Sequence, residues 1–531
     1  MNKHYLWMAV FAMGLYACSD DTIAPGGDVE GSEPETTEVS PMQHAKLASF
    51  AGDQSRVSYG VVSRAADDVQ PGSLRLVAEI ENPSKSQNGV EGFVIEENGR
   101  YLSATCVYYD DRTDTYYATY HMQGNNYNTK LETDVAGIIE SFKIGADGKV
   151  ALDKIYRTAD NQSIDFDFNH LYFDNVEKHG GLGNVTDDRI VAVGHLVKPT
   201  STGKKDTQAI IAKVNFDGDA SLDYKVVYTG DKILDANGKS LGKEDAQDVN
   251  AVLRCYDTYY LATRKGVALL DASTDNMFEP RKDQAGNNYF IKSAGSVKHI
   301  ANDGGYSKLT VLYLTEDFPE GFSGDDAISA KMAKFDISNN GATRQPTIGY
   351  GSADATRLTD VTGKTVDDLR AYGSGWDMFN VDFDRAVAPI DGKNVLFMLS
   401  GSESQYYAAL GKAGLYFRND NHGQYDKDSS GRLDFGNRPV NGVYADEGTG
   451  NEHHNGFIYV ANGSKLTIFN RYRLDEVASF NLPESEIGSA NYVVARTEEE
   501  YNEFGTRDRI ITVAFGQAGV KVFRFSPKNT Y

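Results

Sequence analysis

The chain has 531 residues, a formal net charge of -23 and 40% apolar residues. That length accommodates one large repeat fold or roughly two to three ordinary domains. The charge argues against nucleic acid and anionic lipid surfaces as partners, because both repel it, and leaves cations, basic proteins and neutral glycans.

The chain opens with Lys3 and an apolar run from Tyr5 to Tyr16, ending in Leu15-Tyr16-Ala17-Cys18. A membrane span needs roughly 20 apolar residues, so the order of charge, short apolar core and small residue reads as a secretory signal. Cleavage before Cys18 leaves that residue as a new N-terminus; an ordinary signal peptide with an incidental Cys is the alternative. The run resembles a bacterial lipobox, whose Cys thiol receives a diacylglycerol. Ser19-Asp20-Asp21 resembles the acidic tag of bacteroidete surface lipoproteins. The resemblance implies a lipid anchor on Cys18 in the outer membrane, with the protein facing the cell exterior.

Residues 1–17 are thus read as signal peptide, 18–72 as a flexible tether or propeptide and 73–531 as the folded part. The tether is rich in Asp, Glu, Ser, Thr, Gly and Pro and has too few apolar runs to order itself. Near its end, Ser63-Arg64-Ala65 is similar to the junction at which bacteroidete fimbrial precursors are trimmed after an Arg, which implies processing between Arg64 and Ala65. A plain tether satisfies the same composition.

Beyond Leu74 the sequence turns strand-rich, with 32 Tyr and 25 Phe against 13 Pro in the whole chain. Short alternating runs are punctuated by turns such as Asp147-Gly148 and Asn237-Gly238, which predicts an all-β fold built from hairpins. Helical periodicity is confined to short stretches near Val366 to Tyr372 and Glu498 to Phe504. Cys106 and Cys255 lie in strand-like runs and read as two buried thiols, a bridge being the alternative.

A strand of small and apolar residues recurs. It appears at 137–142, 210–215, 266–271, 331–336, 414–417, 465–470 and 519–523, and several copies follow a partner strand, as Tyr259 to Thr263 precedes Gly266. The later copies lie about 50 residues apart, the length of a four-stranded propeller blade. The run from Tyr259 to Asp271 resembles bacterial LVIVD-type propeller repeats, with Phe457 to Asn470 and Ile510 to Phe525 matching less fully. The expected fold is therefore a β-propeller of seven blades, with tandem β-sandwiches as the alternative.

Asp426-Lys427-Asp428-Ser429-Ser430-Gly431-Arg432-Leu433-Asp434 places oxygen ligands at the alternate positions that Ca²⁺ loops use, with Arg432 contributing its backbone. Asn437 stands where such loops carry a bidentate Glu, so the site would be weak. His453 and His454, with His422 before them, are candidate metal or haem ligands. Trp376, in Gly373-Ser374-Gly375-Trp376-Asp377, is a candidate stacking surface for a sugar or planar ligand. No serine-hydrolase elbow, zinc-protease helix, phosphate loop or Cys-x-x-Cys pair occurs, so no catalytic residue is assigned. The leader and fold together favour a non-enzymatic surface lipoprotein in adhesion or fimbrial assembly. The alternatives are capture of cobalamin, an iron chelate, haem or a glycan for a TonB-dependent transporter, and a polymer-degrading enzyme.

Overall fold

The computed structural model describes residues 41–60, 72–83, 102–122, 137–159, 165–174, 188–199, 205–227, 249–255, 257–263, 266–281, 290–292, 297–302, 308–314, 330–340, 345–350, 356–357, 399–402, 405–409, 415–421, 424–433, 435, 438, 440–446, 456–471, 473–502 and 504–527. Three strands come first: β1 (Gln43–Ala51), β2 (Val57–Tyr59) and β3 (Ser73–Ile80), with a 3₁₀ turn at Gln54–Arg56 between the first two. The segment expected to be a tether up to residue 72 therefore contributes two strands to the fold. Only Ala45 and Leu47 of β1 are buried, and polar neighbours separate them, so composition hides this strand.

Four-stranded antiparallel blades follow. Blade one is β4 (Leu102–Asp110), β5 (Thr115–Met122), β6 (Ile138–Ile144) and β7 (Val150–Thr158). Blade two is β8 (Asp165–Asp174), β9 (Arg189–Pro199), β10 (Lys205–Asn215) and β11 (Ser221–Val226). Blade three is β12 (Val249–Cys255), β13 (Thr258–Thr263), β14 (Gly266–Asp271) and β15 (Phe290–Lys292). Blade four is β16 (Val297–Asn302), β17 (Lys308–Leu314), β18 (Ala330–Asn340) and β19 (Gln345–Tyr350), with the short β20 (Thr356–Arg357) also on β18. Blade five is β21 (Leu399–Ser402), β22 (Gln405–Ala409), β23 (Leu415–Asn421) and β24 (Gln424–Leu433). Blade six is β25 (Val440–Ala445), β26 (Phe457–Asn462), β27 (Lys465–Asn470) and β28 (Glu476–Asn481). The last sheet is β29 (Tyr492–Tyr501), β30 (Arg507–Ala514) and β31 (Val520–Ser526), completed by β3 and edged by β2.

The seven strands recognised in the sequence are β6, β10, β14, β18, β23, β27 and β31, the third strand of each blade. The first strand of each blade packs against the first strand of the next, in the order β4, β8, β12, β16, β21, β25, β29, and β29 returns to β4. This closed circuit defines a seven-bladed β-propeller. The apolar faces meet between blades. Val191, Val193 and Ile211 of blade two bury against Val252, Leu261 and Leu270 of blade three, and Tyr459 and Ile468 of blade six against Ile511 and Phe523 of blade seven. Burial of this kind is worth about 25 cal/mol per Å² of apolar surface.

The Glu498 to Phe504 stretch extends β29 and does not form a helix through Tyr501. Tyr501 pairs with Arg507 across the ladder, and the Arg507 guanidinium lies 4.7 Å from the Tyr501 ring centroid. That cross-strand contact favours the extended conformation over a local helix. Val366 to Tyr372 lies outside the described residues. Cys106 and Cys255 are buried thiols in blades one and three.

Closure depends on tight turns. Gly519, between β30 and β31, has φ of +81°, and a Cβ there would sit 2.2 Å from the Ile80 carbonyl oxygen. Gly218 has φ of +59° with nothing within 4 Å of such a Cβ. Gly519→Ala should lower the unfolding free energy by about 2 kcal/mol or more, and Gly218→Ala by about 1 kcal/mol from backbone conformation alone, measured by urea titration.

Candidate functional site

The first strand of a blade runs beside the propeller axis, and in this chain it carries a repeated irregularity. Register breaks fall between Ala104 and Cys106, Phe168 and His170, Val249 and Ala251, Val297 and His299, and Val440 and Gly442. Such a bulge inserts one residue and re-aims the next side chain. Three of the inserted residues are Asn169, Asn250 and Asn441, and Asn491 stands just before β29. Asn169 Nδ2 donates to the Val249 carbonyl at 2.9 Å, Asn441 Nδ2 to Ala490 at 3.0 Å and Asn491 Nδ2 to Ala104 at 2.9 Å. Each of these bonds staples one blade to the next. Their common pattern, an apolar residue, Asn, any residue and an apolar residue, is visible in the sequence at 168–171, 249–252, 440–443 and 490–493.

The residues that follow the bulges form one tier: Cys106, His170, Ala251, His299 and Gly442, with Tyr492 at the matching place in blade seven. His170 and His299 come from blades two and four, yet their ring centroids are 5.9 Å apart and the rings nearly perpendicular. Rings from non-adjacent blades can meet because the intervening blade offers only Ala251 at this level. Tyr108, two residues beyond Cys106, packs edge-on against His170 at 5.7 Å and at a tilt against Tyr492 at 5.5 Å. Its hydroxyl donates to the Asn169 carbonyl at 3.1 Å.

Both histidines are half-buried as whole residues, and the protein packed around their rings desolvates the imidazoles. Val252 N–H donates to His170 Nδ1 at 3.2 Å, which places the neutral ring's proton on Nε2. His299 Nδ1 has no hydrogen-bond partner among the described residues. Desolvation holds both groups well below the usual imidazole range, His299 at about 4 and His170, which also faces His299, at about 3. Burial also pushes the Cys106 thiol up to about 12, so it is no thiolate nucleophile at neutral pH.

A second set of polar contacts lies at the far end of the first strands. Asp174 ends β8 and accepts from Tyr259 Oη at 2.6 Å and from the Arg254 guanidinium at 2.9 Å. Asp446 follows β25 and accepts from Tyr459 Oη at 2.6 Å and from Arg509 Nε at 3.0 Å. Desolvation first, then the neighbouring carboxylate, keeps both phenols protonated, well above their ordinary range. Apart from the Tyr459 bond, which stays within blade six, these are charge-assisted links between blades.

The residues singled out in the sequence fall elsewhere. Asp426, Asp428, Ser430 and Arg432 have their backbones in β24, where Asp426 pairs with Asn419 and Gly431 with Phe417 across a break in register. The candidate calcium spacing therefore falls on a bulged strand, while Asp434 and Asn437 lie outside the described residues. Cys18, Arg64, Ala65, Trp376, His453 and His454 also lie outside them. In chain order, His422 stands between β23 and β24, and His453 and His454 between β25 and β26. Among the described residues, no three His, Cys, Asp or Glu side chains are grouped closely enough to hold a metal ion.

The chain matches no known protein family and no curated protein. Among solved structures it is similar to the β-propeller domain of Cps50 (Swd1) from Myceliophteria thermophila, at 9% identity and a TM-score of 0.38, covering 81% of this chain and 99% of that one. It is similar to Sqt1 of Saccharomyces cerevisiae at 9% identity and a TM-score of 0.40, covering 80% and 96%. A periplasmic gluconolactonase of Pseudomonas aeruginosa shows 10% identity and a TM-score of 0.39, covering 83% and 96%. The chain is a β-propeller protein.

The depressed imidazoles make a pH prediction with a definite sign. Unfolded His binds its proton near pH 6.5, whereas folded His299 does so only near pH 4. The unfolded state then holds more protons between these values, so stability is full above pH 6.5 and falls as the pH drops toward 4, by about 3 kcal/mol from this residue. His299→Gln should flatten that decline, read from urea midpoints at pH 7, 5.5 and 4.

Proposed function

We propose that this protein is a non-enzymatic surface lipoprotein that captures a small ligand at the axial end of its propeller blades. The observation that carries the reading is the convergence of His170 and His299 from non-adjacent blades, with Tyr108 and Tyr492 beside them. Uncharged imidazoles supply hydrogen-bonding nitrogens without a fixed charge, and the buried rings of Tyr108 and Tyr492 hold them in place, which suits a glycan, an iron chelate, haem or cobalamin. The lipobox at Cys18 and its acidic tag fit delivery of that ligand to a TonB-dependent transporter at the outer membrane. Adhesion or fimbrial assembly is the second reading. It draws on Arg64-Ala65, which falls between β2 and β3 in chain order.

Haem, cyanocobalamin and a set of neutral oligosaccharides, each titrated into purified protein and read by absorbance or thermal shift, test the capture reading. Binding by at least one, weakened tenfold or more by His170→Ala and by His299→Ala, is expected; binding untouched by both substitutions places the ligand elsewhere and overturns the axial assignment. Cys18→Ala should release the protein from the membrane fraction, and retention of this variant would remove the lipid anchor. A Ca²⁺ site at Asp426, Asp428, Ser430, Asp434 and Asn437, with the Arg432 carbonyl, is a separate proposal. It requires that chelator lower the thermal midpoint and that Asp428→Ala abolish the effect.

A further inference from the structure

Residues 43–59 fill a gap that the ring itself leaves. Gln43 to Lys46 of β1 pair with Tyr224 to Ser221 on the outer edge of blade two, and Leu47 to Ala51 pair with Thr158 to Lys154 on the outer edge of blade one. One strand thus covers two sheet edges. Further bonds fix its middle and its C-terminal end: Leu47 N–H donates to Ala220 O at 2.8 Å, Gly52 N–H to Asp153 O at 2.7 Å and the Gln54 amide to Leu152 O at 2.8 Å. Ala45 and Leu47 enter the core, and the Arg157 guanidinium covers the Phe50 ring at 5.3 Å.

The next turn carries a charge into the interior. Arg56 is 2% exposed, and its guanidinium donates to Glu140, itself fully buried in blade one, and to the Glu81 carbonyl at 2.8 Å. Tyr120 Oη donates to the other oxygen of Glu140 at 3.1 Å. Glu81 N–H returns a bond to Arg56 O at 2.9 Å, and β2 pairs with β3 from Val57 to Tyr59. Removing this segment leaves two bare sheet edges and a buried carboxylate without its cation, and each is a severe cost.

We propose that the groove between the outer edges of blades one and two, ending at Glu140, is a binding site for an extended segment, and that residues 43–56 occupy it, with β2 held on β3, independently of the peptide link to β3. A cut after Arg64 then leaves the propeller attached to whatever precedes β1, including a lipid on Cys18. Release requires displacement of the strand as well as proteolysis.

The test uses the full chain with a specific protease sequence inserted between residues 61 and 71. After cutting, both fragments should co-elute on gel filtration at the volume of the uncut protein and separate only in denaturant. Elution of the short fragment apart from a still-folded propeller would overturn the proposal. In the cut protein, Glu140→Gln should speed release at least about a hundredfold, while the uncut variant keeps its circular dichroism spectrum. An unchanged release rate would refute the ion pair's part in the grip. If Glu140→Gln fails to fold, Leu47→Asp on β1 gives the same readout. Exchange of labelled short fragments between intact copies within the dead time of mixing would show a loosely held strand and would equally overturn the proposal.

Discussion

Everything in this fold depends on the pairing of β3 with β31. Seven sheets, each burying its faces only against its neighbours, form a stable array when the last reaches the first, because an open row leaves two apolar faces in water. The chain meets that condition by giving β3 to the last sheet, from Ser73 opposite Ser526 to Ile80 opposite Val520. The bond from Asn491 to the Ala104 carbonyl then joins blade seven to blade one in the same way as Asn169 and Asn441 join other blades.

Once the ring is closed, the first strands are forced together at the axis, and their repeated bulge decides what stands there. An Asn at the inserted position turns its amide toward the adjacent blade and lets the next side chain face inward. The axial tier is thus a product of the same device that joins the blades. Small residues at Ala251 and Gly442 leave room in it, and His170, His299 and Tyr492 use that room.

Third strands such as β14 were legible in the sequence because burial on both faces gives a continuous apolar run, as in Val267-Ala268-Leu269-Leu270. The first strands were harder to read, since a bulge sets a polar residue amid the apolar ones and disturbs the alternation at Phe168-Asn169-His170. β1 was hidden for a different reason. Its stability comes from backbone pairing to two edges and from Arg56, and neither leaves an apolar pattern. The axial histidines lie far apart in the chain, and only the geometry of the ring brings them within one contact. Ligand spacing such as that from Asp426 to Asp434 is a property of one segment and carries no information on convergence between distant segments.

The β3 to β31 pairing also sets a timetable. β3 leaves the ribosome, and any export channel, before every blade, whereas its partner emerges after nearly all of the chain. For that whole interval an apolar strand waits with an unpaired edge, and premature pairing with another sheet would trap the ring open. β2 and the Arg56–Glu140 contact offer β3 an early neighbour in blade one, so the first blade to form can shelter the strand that the last one needs.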